Sequence, residues 1–182
     1  ITAAWLSRHV GPVQGILCAP PCTHFSVSGC QYWAEKNADG RTEHAVQLVQ
    51  ATLRIVEFLQ PEWWVLENPK GRLRSLVPEL FEDGDPPFFD PCDFGGWMDE
   101  DESSLPEFDW YPKQDKYTKL TYLWGKFNFP ERKPVEPEFI YDKTRGKKYS
   151  IIHWKTRSNT DETKRIRSTT PLGFSRAFFH AN

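Results

Sequence analysis

Long apolar runs are missing from this sequence. No stretch approaches the roughly 18 apolar residues that a membrane span requires, and no secretory-signal pattern is present. Cysteine is scarce too. Four irregularly placed Cys among 182 residues make no disulfide framework in a chain of this length. A reducing, intracellular setting without a membrane partner is the default. An excess of one charge is absent as well: 23 Lys and Arg against 25 Asp and Glu leave a net charge of −2. The chain as a whole is therefore no general binder of polyanions, and any phosphate-binding surface must be a local patch. Internal repeats are lacking. Aromatic residues, in contrast, are plentiful. Eight Trp and thirteen Phe supply large burial areas, and the length suffices for one domain with a real core.

Val13–Cys18 (VQGILC) is a short apolar run that stops at Ala19-Pro20-Pro21, as a buried strand ended by two prolines would. In Arg41–Leu59 the residues Val46, Val49, Leu53, Val56 and Leu59 recur at three and four, which predicts an amphipathic helix closed by Pro61. Trp63–Leu66 (WWVL) predicts a second buried strand, ending at Glu67-Asn68-Pro69. Strand, helix, strand at this spacing implies parallel neighbours in an α/β sheet. Both tripeptides then lie at the carboxyl edge, where open α/β sheets bind ligands.

Between Val77 and Lys116 the chain is rich in Pro, Asp, Glu, Gly and Phe and predicts an irregular insertion rather than a second core. Tyr117–Phe127 alternates like a strand. The stretch 143–170 is polar and basic, with Tyr149, His153 and Trp154 set among its lysines and arginines; it reads equally as a phosphate-gripping surface or a solvated face. Pro171–Asn182 predicts a closing helix with Phe174, Ala177 and Phe178 on its apolar face.

Cys22, directly after Pro20-Pro21, offers a thiol on a rigid loop at the sheet edge. A thiolate there can add to carbon 6 of a pyrimidine and turn carbon 5 into a nucleophile. A Cys seen alone is more often a buried structural thiol. Glu67 alters that balance. A carboxylate ending the neighbouring strand faces the same crevice, where it can bind the N3 edge and exocyclic amine of a flipped cytosine; taken alone it reads as a capping acid. Cys18, Cys22, His24 and Cys30 lie within thirteen residues but fit no common zinc spacing, so no metal ligand is assigned.

Ala19-Pro20-Pro21-Cys22-Thr23-His24-Phe25-Ser26 resembles the Pro-Cys catalytic loop of the cytosine-C5 DNA methyltransferase family. Val65-Leu66-Glu67-Asn68-Pro69-Lys70-Gly71 is similar to its Glu-Asn motif. The resemblance spans about residues 13–76 and is nearest to compact bacterial and phage members. It implies a Rossmann-like α/β methyltransferase sheet, double-stranded DNA as substrate, S-adenosylmethionine as cofactor and a cytoplasmic location. It also implies Cys22 as nucleophile, Glu67 as the cytosine partner, Pro21 and Asn68 shaping their loops, and Ser26 ordering the catalytic loop, with Pro20 on the cofactor side. Lys119, in a faint echo of the family's later arginine motif, is a candidate contact to base or phosphate, and an ordinary strand lysine otherwise. Thr169–Phe174 would correspond to the element closing the cofactor pocket.

Two departures stand out. Thr23 replaces the family's usual Gln, and Pro69 its usual Val. The family's Phe-x-Gly-x-Gly cofactor loop is not found, since only twelve residues precede Val13 and no Gly-rich turn elsewhere replaces it. The expectation is a sheet incomplete on its N-terminal side, with 1–182 as the catalytic part of the domain. The rest would come from an N-terminal segment or a second polypeptide. Two rivals stand beside this: a DNA-binding chain inactive alone, and a thiol enzyme acting on free pyrimidine nucleotides as thymidylate synthase does.

Overall fold

The structure is a computed structural model, and it describes residues 3–81, 84–158 and 160–182. Two compact units make it up, one running to Phe88 and including Thr121–Phe127, the other combining Phe89–Leu120 with Asn128–Asn182.

In the first unit a short helix α1 (Ala3–His9) precedes strand β1 (Gly15–Cys18). Helices α2 (Trp33–Ala38) and α3 (Arg41–Leu59) follow, then strand β2 (Trp63–Pro69) and one turn of helix, α4 (Leu73–Leu76). The sheet is mixed, with four strands in the order β1-β2-β4-β3, where β3 is Phe88–Phe89 and β4 is Thr121–Lys126. β1 and β2 run parallel with Cys18 opposite Leu66, as the strand–helix–strand reading required. β2 and β4 run antiparallel, with Glu67 opposite Leu123 and Asn68 opposite Tyr122.

Helix α3 has the limits its apolar spacing predicts. Its buried stripe of Ala45 and Val49 packs with Phe25, Leu66, Leu73, Val77 and Trp124 into one core. The helix ends where Gln60 turns left-handed (φ 46°) before Pro61. Gly125 has no substitute: at φ 131° any Cβ would come within 2.2 Å of the Trp64 carbonyl oxygen.

Three expectations need adjustment. β1 is the outermost strand and leaves Leu17 72% exposed; an apolar run cannot say whether it will sit at the edge or the middle of a sheet. β2 does not stop at Leu66 but runs through Pro69, because β4 pairs with it along that length. β4 itself begins at Thr121 rather than Tyr117, whose ring is buried in the second unit with its hydroxyl accepting from Tyr111 at 2.8 Å.

The second unit has little regular structure and nonetheless a core. Phe89 stacks on Phe174, Phe94 meets both edge-on and Phe178 packs at a tilt against Phe174, and Leu105, Tyr111, Tyr117, Ile152 and Ile166 form another cluster. The stretch predicted as an insertion without a core thus supplies core aromatics from 3-10 turns such as Pro91–Trp97. Hairpin β5 (Phe139–Asp142) and β6 (Lys147–Ser150) leads into α5 (Ile151–Lys155), α6 (Asp161–Ser168) and α7 (Leu172–Ala181). α7 buries Phe174, Ala177 and Phe178 as its pattern predicts. Buried Asp115 caps the start of α7: Gly173 N–H donates to its Oδ2 at 3.3 Å, and Ser104 Oγ donates to its Oδ1 at 2.6 Å.

One ion pair gives this unit a pH signature. Arg176 donates twice to Glu102, at 2.5 and 2.7 Å, and holds that carboxyl down to about 2 from its ordinary 4.5, helped by the Asp99 N–H. A carboxyl whose folded value is depressed stabilises the fold above its unfolded value and loses that contribution as pH falls. The chain should therefore lose stability between about pH 4.5 and 2. Glu102→Gln should flatten this part of the profile in urea midpoints measured across the window.

Candidate active site

Both motifs sit at the carboxyl ends of neighbouring parallel strands. β1 ends at Cys18, and Pro20-Pro21 cannot continue its ladder. Pro21 (φ −53°, ψ 117°) instead delivers the chain into a single 3-10 turn, Cys22–His24. The Phe25 and Ser26 N–H groups both donate to the Cys22 carbonyl at 2.9 Å, so the backbone of Cys22 is fixed twice. Its thiol is half-buried.

On β2, side chains alternate between faces. Leu66 and Asn68 turn to the core face and are fully buried, while Glu67 turns to the other face and stays half-buried. Asn68 links the two motifs directly. Its Nδ2 donates to the Pro20 carbonyl at 3.1 Å, and its Oδ1 is buried without a protein donor. Beyond Glu67 the two segments zip together. Ser26 bridges Gly71 in antiparallel fashion, Val27 N–H donates to the Lys70 carbonyl at 3.2 Å, and Arg72 N–H donates to the Phe25 carbonyl at 2.9 Å.

Gly71 makes that approach possible, since a Cβ there would lie 1.9 Å from the Phe25 carbonyl oxygen. That atom is backbone and cannot swing aside. Gly71→Ala should force the loops apart and cost roughly 1–3 kcal/mol of stability, as other overpacked contacts do. Chemical denaturation of the two chains measures it.

The other cysteines differ in character. Burial pushes the Cys18 thiol up to about 11 and the Cys92 thiol, with Asp93 and Asp90 adding to the effect, to about 11 as well. Both are protonated at neutral pH and poor nucleophiles. Cys30 is exposed. His24, two residues from Cys22, is held below its ordinary 6.5 by burial, then by Lys36, Arg41 and Arg72. Asp39 opposes the three cations, and Arg41 is itself paired with Glu35 and Asp39.

Asn68 meets Pro20 directly and Ser26 pairs with Gly71, so the segment carrying Pro21 and Cys22 and the strand carrying Glu67 lie side by side in the first unit. Ser26 orders its loop through its backbone. Lys119 is instead part of the second unit, where its N–H donates to Asp90 at 2.6 Å and its Nζ to the Arg167 carbonyl at 2.8 Å. A cavity of about 290 Å³ opens beyond Pro69, between Leu73, Arg74, Phe88, Tyr122 and Trp124. Neither Cys22 nor Glu67 lines it.

Sequence reasoning passed over Phe25, Gly71 and Arg72. A fully buried Phe three residues after a candidate nucleophile was the one available sign that its loop is nailed into the core.

No curated protein matches the chain. The family model described as C-5 cytosine-specific DNA methylase matches residues 8–78. That stretch holds both strand ends, the zipped loops and the Asn68 link. Over residues 8–78, less than half of its length, the chain is similar to the C-5 cytosine-specific DNA methylase family.

Proposed function

We propose that the chain carries the cytosine-activating half of a DNA cytosine-C5 methyltransferase, with residues 1–182 as the catalytic part of a Rossmann-like domain. The observation that carries this reading is the Asn68-to-Pro20 hydrogen bond, which fastens the Cys22 loop to the strand bearing Glu67. A thiol and a carboxyl on adjacent strand ends suit one flipped pyrimidine ring.

In the proposed reaction a cytosine leaves the duplex and enters the crevice at this edge. The Cys22 thiolate forms a bond to carbon 6, and the displaced ring electrons move toward carbon 5 and N3. Glu67 accepts a hydrogen bond from the exocyclic amine and, when protonated, donates to N3, which neutralises the developing charge. Pro20, Pro21, Ser26 and Asn68 hold these two groups in place. Carbon 5, now enamine-like, can take up an electrophile; loss of the carbon-5 proton and departure of the thiolate then restore the ring.

The family uses S-adenosylmethionine as methyl donor. The residues described here do not compose a site for it. β1 is the outermost strand, Leu17 within it is 72% exposed, and no Gly-rich strand-to-helix turn occurs among the described residues. No step through the donor is derived.

Duplex DNA is the proposed partner. In the second unit the Arg157 guanidinium lies 3.6 Å from the Trp154 ring centroid and 5.4 Å from that of Tyr149. Lys147, Lys148 and Lys155 of the same stretch are exposed. Rings that preorganise a guanidinium favour a role in gripping phosphates, and Lys119 belongs to the same proposal. No helix among the described residues is long and apolar enough to cross a membrane.

Thiolate addition by itself makes carbon 5 exchange its hydrogen with water, so the proposal is testable without any methyl donor. Duplex DNA carrying tritium at cytosine carbon 5 should release it into water when the chain is added. Binding without release would instead mark a DNA-binding chain, and release from a free cytidine nucleotide alone a nucleotide enzyme.

A further inference from the structure

The turn that carries Cys22 is held by two side chains that the chemistry above does not use. Lys36 Nζ donates to the Thr23 carbonyl at 2.6 Å. Arg72 Nε donates to the His24 carbonyl at 3.0 Å, and the Arg72 N–H to the Phe25 carbonyl at 2.9 Å. Three successive carbonyls directly after the nucleophile thus have donors from other segments.

Arg72 is itself anchored on every side. One terminal nitrogen donates to Asn37 Oδ1 at 2.9 Å, the other to the buried Thr42 hydroxyl at 2.7 Å. Its guanidinium carbon lies 4.7 Å from the centroid of the Trp33 ring. Asn37 belongs to α2 and Thr42 to α3, while Arg72 leaves β2 five residues after Glu67. One planar fork therefore references the Cys22 turn to both helices and to the end of the Glu67 strand. A lysine there carries the charge but has a single flexible head and cannot serve three separated acceptors in fixed directions.

We propose that Arg72 is a positioning residue. It sets the Cys22 turn at the height and orientation from which the thiolate meets carbon 6, and it acts through the Thr23–Phe25 backbone without touching the base. The proposal rests on the reading of Cys22 as nucleophile. Misplacing a reacting group by about an ångström costs on the order of a hundredfold in rate while leaving much of the binding surface untouched.

The test compares the wild-type chain with Arg72→Ala and Arg72→Lys by two readouts. In tritium release from duplex DNA, Arg72→Ala should lower the maximal rate roughly tenfold to a hundredfold, while the DNA concentration giving half-maximal rate stays within about twofold. Arg72→Lys should remain well below wild type. In amide exchange, the Phe25 and Ser26 N–H groups, which report on the Cys22 carbonyl, should exchange faster in Arg72→Ala, with β2 unchanged. Full recovery by Arg72→Lys would overturn the proposal by reducing the effect to charge. Weakened DNA binding at an unchanged maximal rate, or a uniform rise in exchange across the first unit, would overturn it too. A wild-type chain that releases no tritium refutes the reading of Cys22 instead, and the exchange comparison then still decides whether Arg72 anchors the turn.

Discussion

Cys22→Ser should abolish tritium release from cytosine-labelled duplex DNA, with a fall of roughly 10³-fold or more. The serine hydroxyl has nearly the same shape, so the turn and its two hydrogen bonds to the residue-22 carbonyl should survive. What disappears is the nucleophile. A thiol is partly ionised near neutral pH and intrinsically reactive, whereas an unactivated hydroxyl is neither. The other cysteines cannot substitute: Cys18 and Cys92 are held protonated by burial, and Cys30 lies in the next 3-10 segment, after the zipped loops. Cys30→Ser should therefore release tritium as the wild type does, and Cys22→Ser should still bind DNA. Measuring release and binding on one duplex separates lost chemistry from lost affinity.

Glu67→Gln is expected to lower the maximal release rate by about 10²-fold or more, with DNA affinity close to wild type. The amide keeps the shape of the carboxyl and can still place an oxygen toward the exocyclic amine and an N–H toward N3. It cannot deliver a proton to N3 as charge arrives there. General acid assistance of this kind is worth about 10²–10⁴-fold, and the substitution isolates it. Glu67→Ala should do worse, because it also removes the hydrogen bonds that distinguish cytosine. Initial rates over a range of DNA concentrations split the two effects. A substitution that raised only the DNA requirement would make Glu67 a binding residue rather than a participant in the addition.

Much of this site was legible in the residues themselves. The period of α3, the two apolar runs and the prolines after each are local signals, and they suffice to bring Cys22 and Glu67 to adjacent parallel strand ends. What stayed hidden depends on contacts between distant segments. The Arg72 hydrogen bond to His24 joins residues 48 apart in sequence, and no pattern in either segment announces it. The fixed requirement at Gly71 follows from a carbonyl 46 positions earlier. The second core escaped for another reason. Its aromatics before α7 sit on a two-residue strand, a 3-10 turn and loops, which have no hydrophobic period to read, so a Pro- and Asp-rich stretch looked like an insertion. Tyr117 continued the alternation of β4 while belonging to that core. Alternation fixes which faces residues would take in a strand, not whether the strand extends that far.

Hydrogen isotope at cytosine carbon 5 reports the central claim most directly, that Cys22 activates this ring. Duplex DNA would be incubated with the chain in heavy water without methyl donor, digested, and its deoxycytidine examined by proton NMR and mass spectrometry. Deuterium should enter at carbon 5 and not at carbon 6, with wild type but not with Cys22→Ser. Deoxycytidine that stays unlabelled with wild type, or becomes equally labelled with Cys22→Ser, would contradict it.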